Sequence, residues 1–343
     1  MRKYTIGISI GDINGIGPEV ILKAFDNRAI LKSITPIIYG STKVLTHHKN
    51  MTRVETQFVN TKDVANAVSG KLNVIACGDE NVEITLGKAT KASGQYAIDS
   101  LNAMVRDAKE GVLDAIVTAP INKHAMQLAG WGYPGHTEFL GRAFGADDQL
   151  MFMISDSLKV ATVTGHIPLS QIGKKVTKEK IVTKINLLND SLIKDFGFEK
   201  PKIAVLGLNP HAGDGGAIGS EEVEMITPLI MELKKKGMLV SGSYPADGFF
   251  GSSQFAKVDA TLAMYHDQGL IPFKALSFNK GVNYTAGLDV VRTSPDHGTA
   301  YTLAGKDQAS PNSFRQALYA AIDIKRSRDS HQEMNANPLK KSK

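Results

Sequence analysis

The sequence has few of the features that mark secreted, membrane or disordered proteins. Cys77 is the only cysteine in 343 residues, so no intrachain disulfide can form, and a reducing cytoplasm fits best. No apolar run is long enough to span a membrane, and Gly7, Gly11 and Asp12 interrupt the N-terminal apolar run too early for a signal peptide. Hydrophobic residues make up 42% of the chain and charged residues 22%, which excludes a disordered polypeptide.

The positive charge is small and scattered. The formal net charge is +6, and part of it lies in a basic tail at 331–343. Elsewhere lysines and arginines are mixed with acids and form no basic stripe interleaved with aromatic residues. This pattern argues against nucleic acid or a membrane surface as a partner.

Short β-branched runs alternate with longer amphipathic stretches along the chain. Tyr4–Ile10, Ile34–Tyr39 and Ala115–Thr118 have the composition of buried strands, and Pro311–Arg326 is typical of a long helix. The alternation predicts an α/β protein with a largely parallel sheet, and the length suffices for about two domains. The Gly130–Gly135 stretch is the candidate crossing between them.

Three histidines each follow a β-type apolar run at long sequence separation. They are His166, His211 and His266. Neutral imidazole is the commonest protein ligand for metals, and three such ligands with one open position are typical of catalytic zinc. Any one of them alone is more simply a loop or core residue, but the recurrence predicts one composite metal site.

A second set of polar loop residues suits an anionic substrate: His136, Thr137, Lys274, Asn283 and Arg292. An arginine fork and a lysine point charge together can neutralise and orient a phosphomonoester. Gly269–Phe273 and Leu288–Val291 have the composition of strands, so Lys274 and Arg292 are expected at strand ends, where open α/β sheets bind ligands.

Two glycine-rich loops fail the dinucleotide-binding spacing. Neither Gly11–Gly17 nor the later loop with Gly213, Gly215 and Gly219 fits G-x-G-x-x-G. The residues alone therefore predict metal-assisted chemistry on a phosphorylated small molecule. They leave a hydrolase, an aldolase and a dehydrogenase open.

Ordered motifs along nearly the whole chain resemble the 4-hydroxythreonine-4-phosphate dehydrogenases of pyridoxal phosphate biosynthesis. The matching segments are Gly11-Asp-Ile-Asn-Gly-Ile-Gly-Pro-Glu, Thr118-Ala-Pro-Ile-Asn-Lys, Gly135-His-Thr-Glu-Phe, Thr164-Gly-His-Ile-Pro-Leu, Leu208-Asn-Pro-His-Ala-Gly, Pro245-Ala-Asp, Met264-Tyr-His-Asp-Gln-Gly and Arg292-Thr-Ser-Pro-Asp-His-Gly-Thr-Ala. The resemblance implies that the three histidines bind a divalent metal and that the five polar residues contact the substrate. Zn²⁺ is the expected ion, with Mg²⁺ or Co²⁺ as alternatives.

The resemblance also implies a fold like that of isocitrate and isopropylmalate dehydrogenases, with two α/β lobes and a cleft between them. The expected lobes are 1–129 with 285–330, and 130–284, followed by the tail 331–343. The second lobe is expected to form a homodimer whose subunits share the metal site. The implied cofactor is NAD, with NADP as the alternative.

The implied reaction is oxidation of 4-phosphohydroxy-L-threonine at C3 to 2-amino-3-oxo-4-phosphooxybutanoate, which loses CO₂ to give 3-amino-2-oxopropyl phosphate. The metal would lower the pKa of the C3 hydroxyl as hydride leaves for the nicotinamide. Lys123, Asp247 and Asp267 are candidates for the base or for groups that support the metal ligands.

Three alternatives are kept. In the first, the enzyme belongs to a similar branch that oxidises D-threonate or D-erythronate 4-phosphate. The segment Gly248-Phe249-Phe250 bears on this choice of substrate, because the family more often has threonine and leucine at the first two of these positions. The second is a dimer that binds a phosphorylated metabolite without turning it over. A metal-dependent hydrolase, which would release inorganic phosphate, is the third.

Overall fold

The computed structural model describes residues 2–277 and 280–336. The chain divides into two compact units: Met1–Asp147 with Leu288–Lys325, and Asp148–Gly287 with the chain from Arg326 onward. In the described residues, the strands in chain order are β1 (Tyr4–Ser9), β2 (Ile34–Gly40), β3 (Phe58–Thr61), β4 (Leu72–Ala76), β5 (Ala115–Thr118), β6 (Leu150–Ile154), β7 (Lys159–Thr162), β8 (Lys202–Leu206), β9 (Leu239–Tyr244), β10 (Ala260–Ala263), β11 (Val282–Ala286) and β12 (Val291–Pro295).

The α-helices of the same residues connect and cover these strands. They are α1 (Gly17–Asp26), α2 (Thr42–Lys49), α3 (Lys91–Lys109), α4 (Lys123–Leu128), α5 (His136–Ala143), α6 (Leu169–Lys175), α7 (Lys178–Lys194), α8 (Thr227–Lys235), α9 (Ala246–Gly251), α10 (His266–Leu276) and α11 (Asn312–Ala336). Short 3₁₀ helices lie at Arg28–Lys32, Gln254–Lys257 and Tyr301–Leu303, and a π-helix lies at Glu222–Ile226. Pro210–Gly216 is a turn-rich loop whose residues from His211 to Gly215 have non-helical backbone angles. None of the described helices is both long enough and apolar enough to cross a bilayer.

The first unit is built on a wholly parallel sheet. Its strands lie in the order β3, β4, β2, β1, β5, β12, and every neighbouring pair is parallel. Parallel strands are covered on both faces, so they carry continuous apolar runs, as in β1 and β5, which are buried along almost their whole length. Thr90 is the N-cap residue of α3, and it forms a capping box with Ser93.

The second unit is built on a mixed sheet. Its strands lie in the order β11, β6, β7, β10, β8, β9. The β11–β6 and β6–β7 pairs are antiparallel, whereas β7, β10, β8 and β9 run parallel. The predicted α/β class with largely parallel sheets is therefore confirmed.

The units differ from the predicted lobes at their edges. The first unit runs on to Asp147, and not to 129, because Trp131, Tyr133 and Phe139 pack on one another with ring centroids 4.6 to 5.4 Å apart and join that unit's core. Residues 326–330 belong to the second unit. The predicted tail continues as helix to Ala336, and 337–343 lie outside the described residues.

Two predicted strands are wrong. Gly269–Phe273 lies inside helix α10, where Gly269, Leu270 and Phe273 are buried at helical spacing, so the short apolar run came from a helix with one buried face. Arg292 is the second residue of β12 rather than a residue after a strand, because the strand begins only at Val291.

Candidate active site

The three predicted metal histidines follow three neighbouring parallel strands of the second unit. His166 follows β7, His266 follows β10 and His211 follows β8, with β10 between the other two strands. The carboxyl ends of adjacent parallel strands lie at one edge of a sheet, which is where such folds place ligands. The topology therefore brings the three histidines to the same edge.

His166 and His266 lie together. Their ring centroids are 5.1 Å apart and their planes are inclined by 44°. The Nδ1 atom of His266 is 2.7 Å from Oδ1 of Asp267, and in the tautomer that donates this bond Nε2 carries a free lone pair. Two imidazoles on one tetrahedral ion, with metal–nitrogen bonds of about 2.0 to 2.1 Å, have centroids roughly 5 Å apart, so the pair fits as two ligands of one ion.

His211 stands in an unusual loop. His211, Ala212 and Asp214 all have left-handed backbone conformations, with φ of 53°, 51° and 43°. Such conformations cost free energy in residues other than glycine and often mark functional sites. In the described residues, no three histidine, cysteine, aspartate or glutamate side chains are gathered closely enough to hold a metal ion, so His211 is not assembled with the other two.

In the first unit the positive charges of Arg292 and Lys123 lie near the imidazole of His136, and these three side chains form a cationic cluster that we call the anion pocket. The Arg292 side chain is only 2% exposed, and its Nε and Nη2 atoms both donate to Oγ1 of Thr118, at 3.2 and 2.7 Å. His136 is the first residue of α5, and its Nε2 atom is buried with no hydrogen-bond partner among the described residues. Lys123, the first residue of α4, approaches Gly135, which immediately precedes His136.

The electrostatics of this pocket favour a bound anion. Burial, together with the positive charges of Arg292 and Lys123, holds the pKa of His136 well below its ordinary value, so the ring is neutral at physiological pH. Burial also lowers the pKa of Arg292 to about 10, while Glu138 opposes that shift. The pocket thus combines a charged guanidinium with a neutral imidazole whose buried nitrogen can donate to an anion.

The other predicted residues occupy varied positions. Thr137 is the second residue of α5, next to His136. Asn283 lies on β11 with a buried Oδ1 atom that has no partner among the described residues. Lys274 is exposed on α10 and Asp247 is exposed on α9. Lys123, His136, Thr137 and Arg292 thus belong to the first unit, and the remaining predicted residues belong to the second.

Sequence reasoning missed three residues that hold these side chains in place. Thr118 anchors Arg292. Glu222 accepts hydrogen bonds from the loop before His211. Gln268 accepts from the backbone of Met264 at 2.7 Å and donates to the Gly207 carbonyl at 2.6 Å. The only available signal was position, since Thr118 and Gln268 lie inside the quoted motifs.

Comparison with known proteins connects these observations. The family model of the pyridoxal phosphate biosynthetic protein PdxA matches residues 32–321. The chain belongs to the PdxA family. A 4-hydroxythreonine-4-phosphate dehydrogenase from Bacteroides thetaiotaomicron is 48% identical over 99% of this chain and 94% of the relative.

Two further proteins are similar to this chain. The crystal structure of a 4-hydroxythreonine-4-phosphate dehydrogenase from Klebsiella pneumoniae superposes with a TM-score of 0.82 at 33% identity, covering 94% of this chain and all of the other. A relative from Oceanobacillus iheyensis, provisionally named a D-threonate 4-phosphate dehydrogenase, is 38% identical over 94% of this chain and 98% of its own length. The chain is therefore a PdxA-family dehydrogenase.

Proposed function

We propose that this enzyme oxidises 4-phosphohydroxy-L-threonine at its C3 hydroxyl, with NAD as the hydride acceptor, to a 3-oxo acid that decarboxylates to 3-amino-2-oxopropyl phosphate. The observation that carries the proposal is the cluster formed by the buried Arg292 side chain, the buried Nε2 atom of His136 and the exposed Lys123 in a member of the PdxA family. The substrate carries a phosphate and a carboxylate, and a desolvated guanidinium binds either group strongly.

The cationic pocket would orient the substrate. Arg292 is held by Thr118, so its guanidinium needs little reorganisation when an anion arrives. Holding a substrate in the reactive geometry can lower a barrier by several kcal/mol. Thr137, Lys274 and Asn283 are the further proposed substrate contacts. The Oδ1 atom of Asn283 accepts no hydrogen bond from the described residues and so suits a hydroxyl or ammonium donor.

The proposed metal ligands are His166, His211 and His266. A divalent ion bound there, Zn²⁺ first with Mg²⁺ or Co²⁺ as alternatives, would act as a Lewis acid on the C3 hydroxyl. Asp267 would fix the His266 ring through the 2.7 Å contact at Nδ1. Lys123 and Asp247 remain candidates for proton transfer, and Lys123 lies beside Gly135, the residue before His136.

The nicotinamide cofactor that would accept the hydride is NAD, with NADP as the alternative. We also propose a cytoplasmic homodimer that shares the metal site between subunits. The α10 helix begins with His266 and exposes Ile271 and Leu276, which are 65% and 50% exposed, and such apolar residues suit a face that a second subunit covers. The single cysteine supports the location, since its thiol has no cysteine partner in the chain.

A second candidate is oxidation of D-threonate or D-erythronate 4-phosphate, which the Oceanobacillus iheyensis relative supports. The Gly248-Phe249-Phe250 departure argues little for it. Phe249 is 2% exposed, and its ring packs against Tyr244 at 5.3 Å and edge-to-face against Phe250 at 5.4 Å, so core packing accounts for the phenylalanine at this position.

The test is NADH formation from each of the three phosphorylated substrates, with Zn²⁺, Mg²⁺ or Co²⁺ added to metal-free enzyme. A clear preference in kcat/KM for 4-phosphohydroxy-L-threonine supports the proposal, and preference for a sugar acid phosphate moves the enzyme to the second candidate. Binding of substrate and NAD without NADH formation would instead indicate a metabolite-binding dimer. Release of inorganic phosphate would indicate a hydrolase.

A further inference from the structure

Glu222 is a buried carboxylate that the proposed chemistry does not use. It is 1% exposed and is the first residue of the π-helix Glu222–Ile226. Its Oε1 atom accepts hydrogen bonds from the backbone N–H groups of Leu208 and Asn209, at 2.6 and 2.8 Å, and its Oε2 atom accepts from Nδ2 of Asn209 at 2.9 Å. Short π-helical turns often occur at functional sites.

The loop closes tightly around this carboxylate. A Cβ atom at Gly213 would lie 2.6 Å from Oε2 of Glu222, and one at Gly207 would lie 3.0 Å from Oε1. Gly213 has a φ of 80°, so glycine is favoured there by both conformation and space. The backbone from 207 to 213 therefore wraps the carboxylate on both sides of His211.

No cation neutralises Glu222 within residues 2–277 and 280–336. Its partners are three neutral N–H donors, and no lysine, arginine or histidine side chain of these residues forms an ion pair with it. A buried charge without a counter-charge is costly, although several N–H donors reduce that cost. The negative charge would be better balanced when a cation binds nearby.

The hydrogen bonds lead directly to His211. Asn209 is held by Glu222 through its backbone and its side chain, and its carbonyl accepts from the Ala212 N–H at 3.1 Å. His211 lies between these two anchored residues, in a left-handed conformation. Fixing Asn209, Ala212 and Gly213 leaves the His211 backbone little freedom.

We infer that Glu222 is a positioning residue for a divalent-cation site, holding His211 in its left-handed conformation and supplying buried negative charge behind it. The inference rests on the proposed metal site and deepens it. Gln268 makes the matching tie on the other side, because it joins Gly207 at the base of this loop to Met264 before His266.

The test compares Glu222→Gln with Glu224→Gln. Glutamine keeps the size of Glu222 but removes the charge and replaces one of the two acceptor oxygens with an N–H donor, so the three hydrogen bonds cannot all be kept. Glu224 is exposed on the same π-helix, so its variant removes the same charge without touching the loop. Zn²⁺ affinity is measured by competition with a chromophoric chelator, and hydrogen exchange of the Leu208 and Asn209 amides is measured on the metal-free full chain.

We expect Glu222→Gln to bind Zn²⁺ roughly 10- to 100-fold more weakly than wild type, the usual cost of losing a group that orients a metal ligand. The Leu208 and Asn209 amides should exchange faster, while the amides of β10 keep their protection and so show that the fold is intact. Glu224→Gln should match wild type in both measurements.

A His211→Ala variant separates the two ways of failing. If His211→Ala loses Zn²⁺ and Glu222→Gln binds it as tightly as wild type, the role of Glu222 is overturned and the metal site stands. If neither variant changes the affinity, the proposed metal site fails, and this inference fails with it. Unchanged amide exchange in Glu222→Gln would show that the carboxylate does not hold the loop, whatever the metal does.

Discussion

Replacing Thr118 with valine tests whether one hydroxyl orients the arginine of the anion pocket. The Thr118 Oγ1 atom accepts from both Nε and Nη2 of Arg292, and the Arg292 side chain is 2% exposed. Water therefore has little access to replace the lost acceptor. Valine has nearly the same shape as threonine, so the change removes hydrogen bonds without opening a cavity.

The magnitude follows from the charge and the burial. Hydrogen bonds to charged groups contribute about 1.5 to 3 kcal/mol, and both bonds here end on a single acceptor, so we expect a stability loss of about 1.5 to 3 kcal/mol. For a unit of roughly 150 to 250 residues this lowers Tm by about 3 to 12 °C. Without the contact to Thr118, Arg292 is also expected to bind the substrate anion less well. An increase in KM of about tenfold corresponds to about 1.4 kcal/mol.

The assay combines urea denaturation with steady-state kinetics on 4-phosphohydroxy-L-threonine. Thr118→Ser keeps the oxygen and is the matched control, so it should retain most of the stability and a KM close to that of wild type. Because Arg292 is proposed to bind the substrate anion, KM should change more than kcat. If Thr118→Val matched Thr118→Ser in both stability and KM, the hydroxyl would have no part in holding Arg292.

Three further predictions concern the rest of the molecule. Arg328→Ala breaks a buried ion pair in which Nε of Arg328 lies 2.6 Å from Oδ1 of Asp195. The free energy of unfolding, measured by urea titration, should fall by about 3 to 5 kcal/mol, and a loss below about 1 kcal/mol would contradict this. Burial lowers the pKa of His48 from 6.5 to about 4. As pH falls from 6.5 to 4, His48 is therefore protonated in the unfolded chain but not in the folded chain, and the free energy of unfolding should drop by up to about 3 kcal/mol. That slope should be absent in His48→Gln, and an equal slope in both proteins would assign it to other groups. The last prediction uses alanine variants of His166, His211 and His266, mixed in pairs. If the metal site is shared between subunits, half of the dimers in a mixture are heterodimers and one of their two sites can be intact, so up to about a quarter of wild-type activity should return in two of the three pairings. Restoration in none of the pairings would refute sharing.

The local pattern of the chain predicted strands better than it predicted short buried helices. Ala115–Thr118 is the strand that its β-branched run indicates, because a parallel strand buried on both faces needs no alternation. Gly269–Phe273 is a similarly short apolar run but lies in α10. A run of five apolar residues is too short to separate a period of two from a period of 3.6, and only the tertiary contacts decide between them.

The sequence predicts a set of candidate residues for the site but does not predict their arrangement in space. Histidines after separate β-type runs indicate a common sheet edge, because alternating strands and helices favour parallel pairing. The placement of β10 between β7 and β8 is set by contacts distant in sequence, so no local pattern could give it. The Thr118–Arg292 pair spans 174 residues and was equally invisible. The metal and substrate roles of the predicted residues stay predictions.

The position of β10 has a consequence for how the chain folds. Residues of β7 and β8 leave the ribosome well before those of β10. Neither strand has both of its neighbours in the sheet until β10 has inserted between them. Pairings at long sequence separation form slowly, because the closure of a long loop must come first. The edge that carries the histidines is therefore completed late during folding. If the three histidines bind a cation as proposed, a cation present during synthesis would find them together only after β10 has inserted.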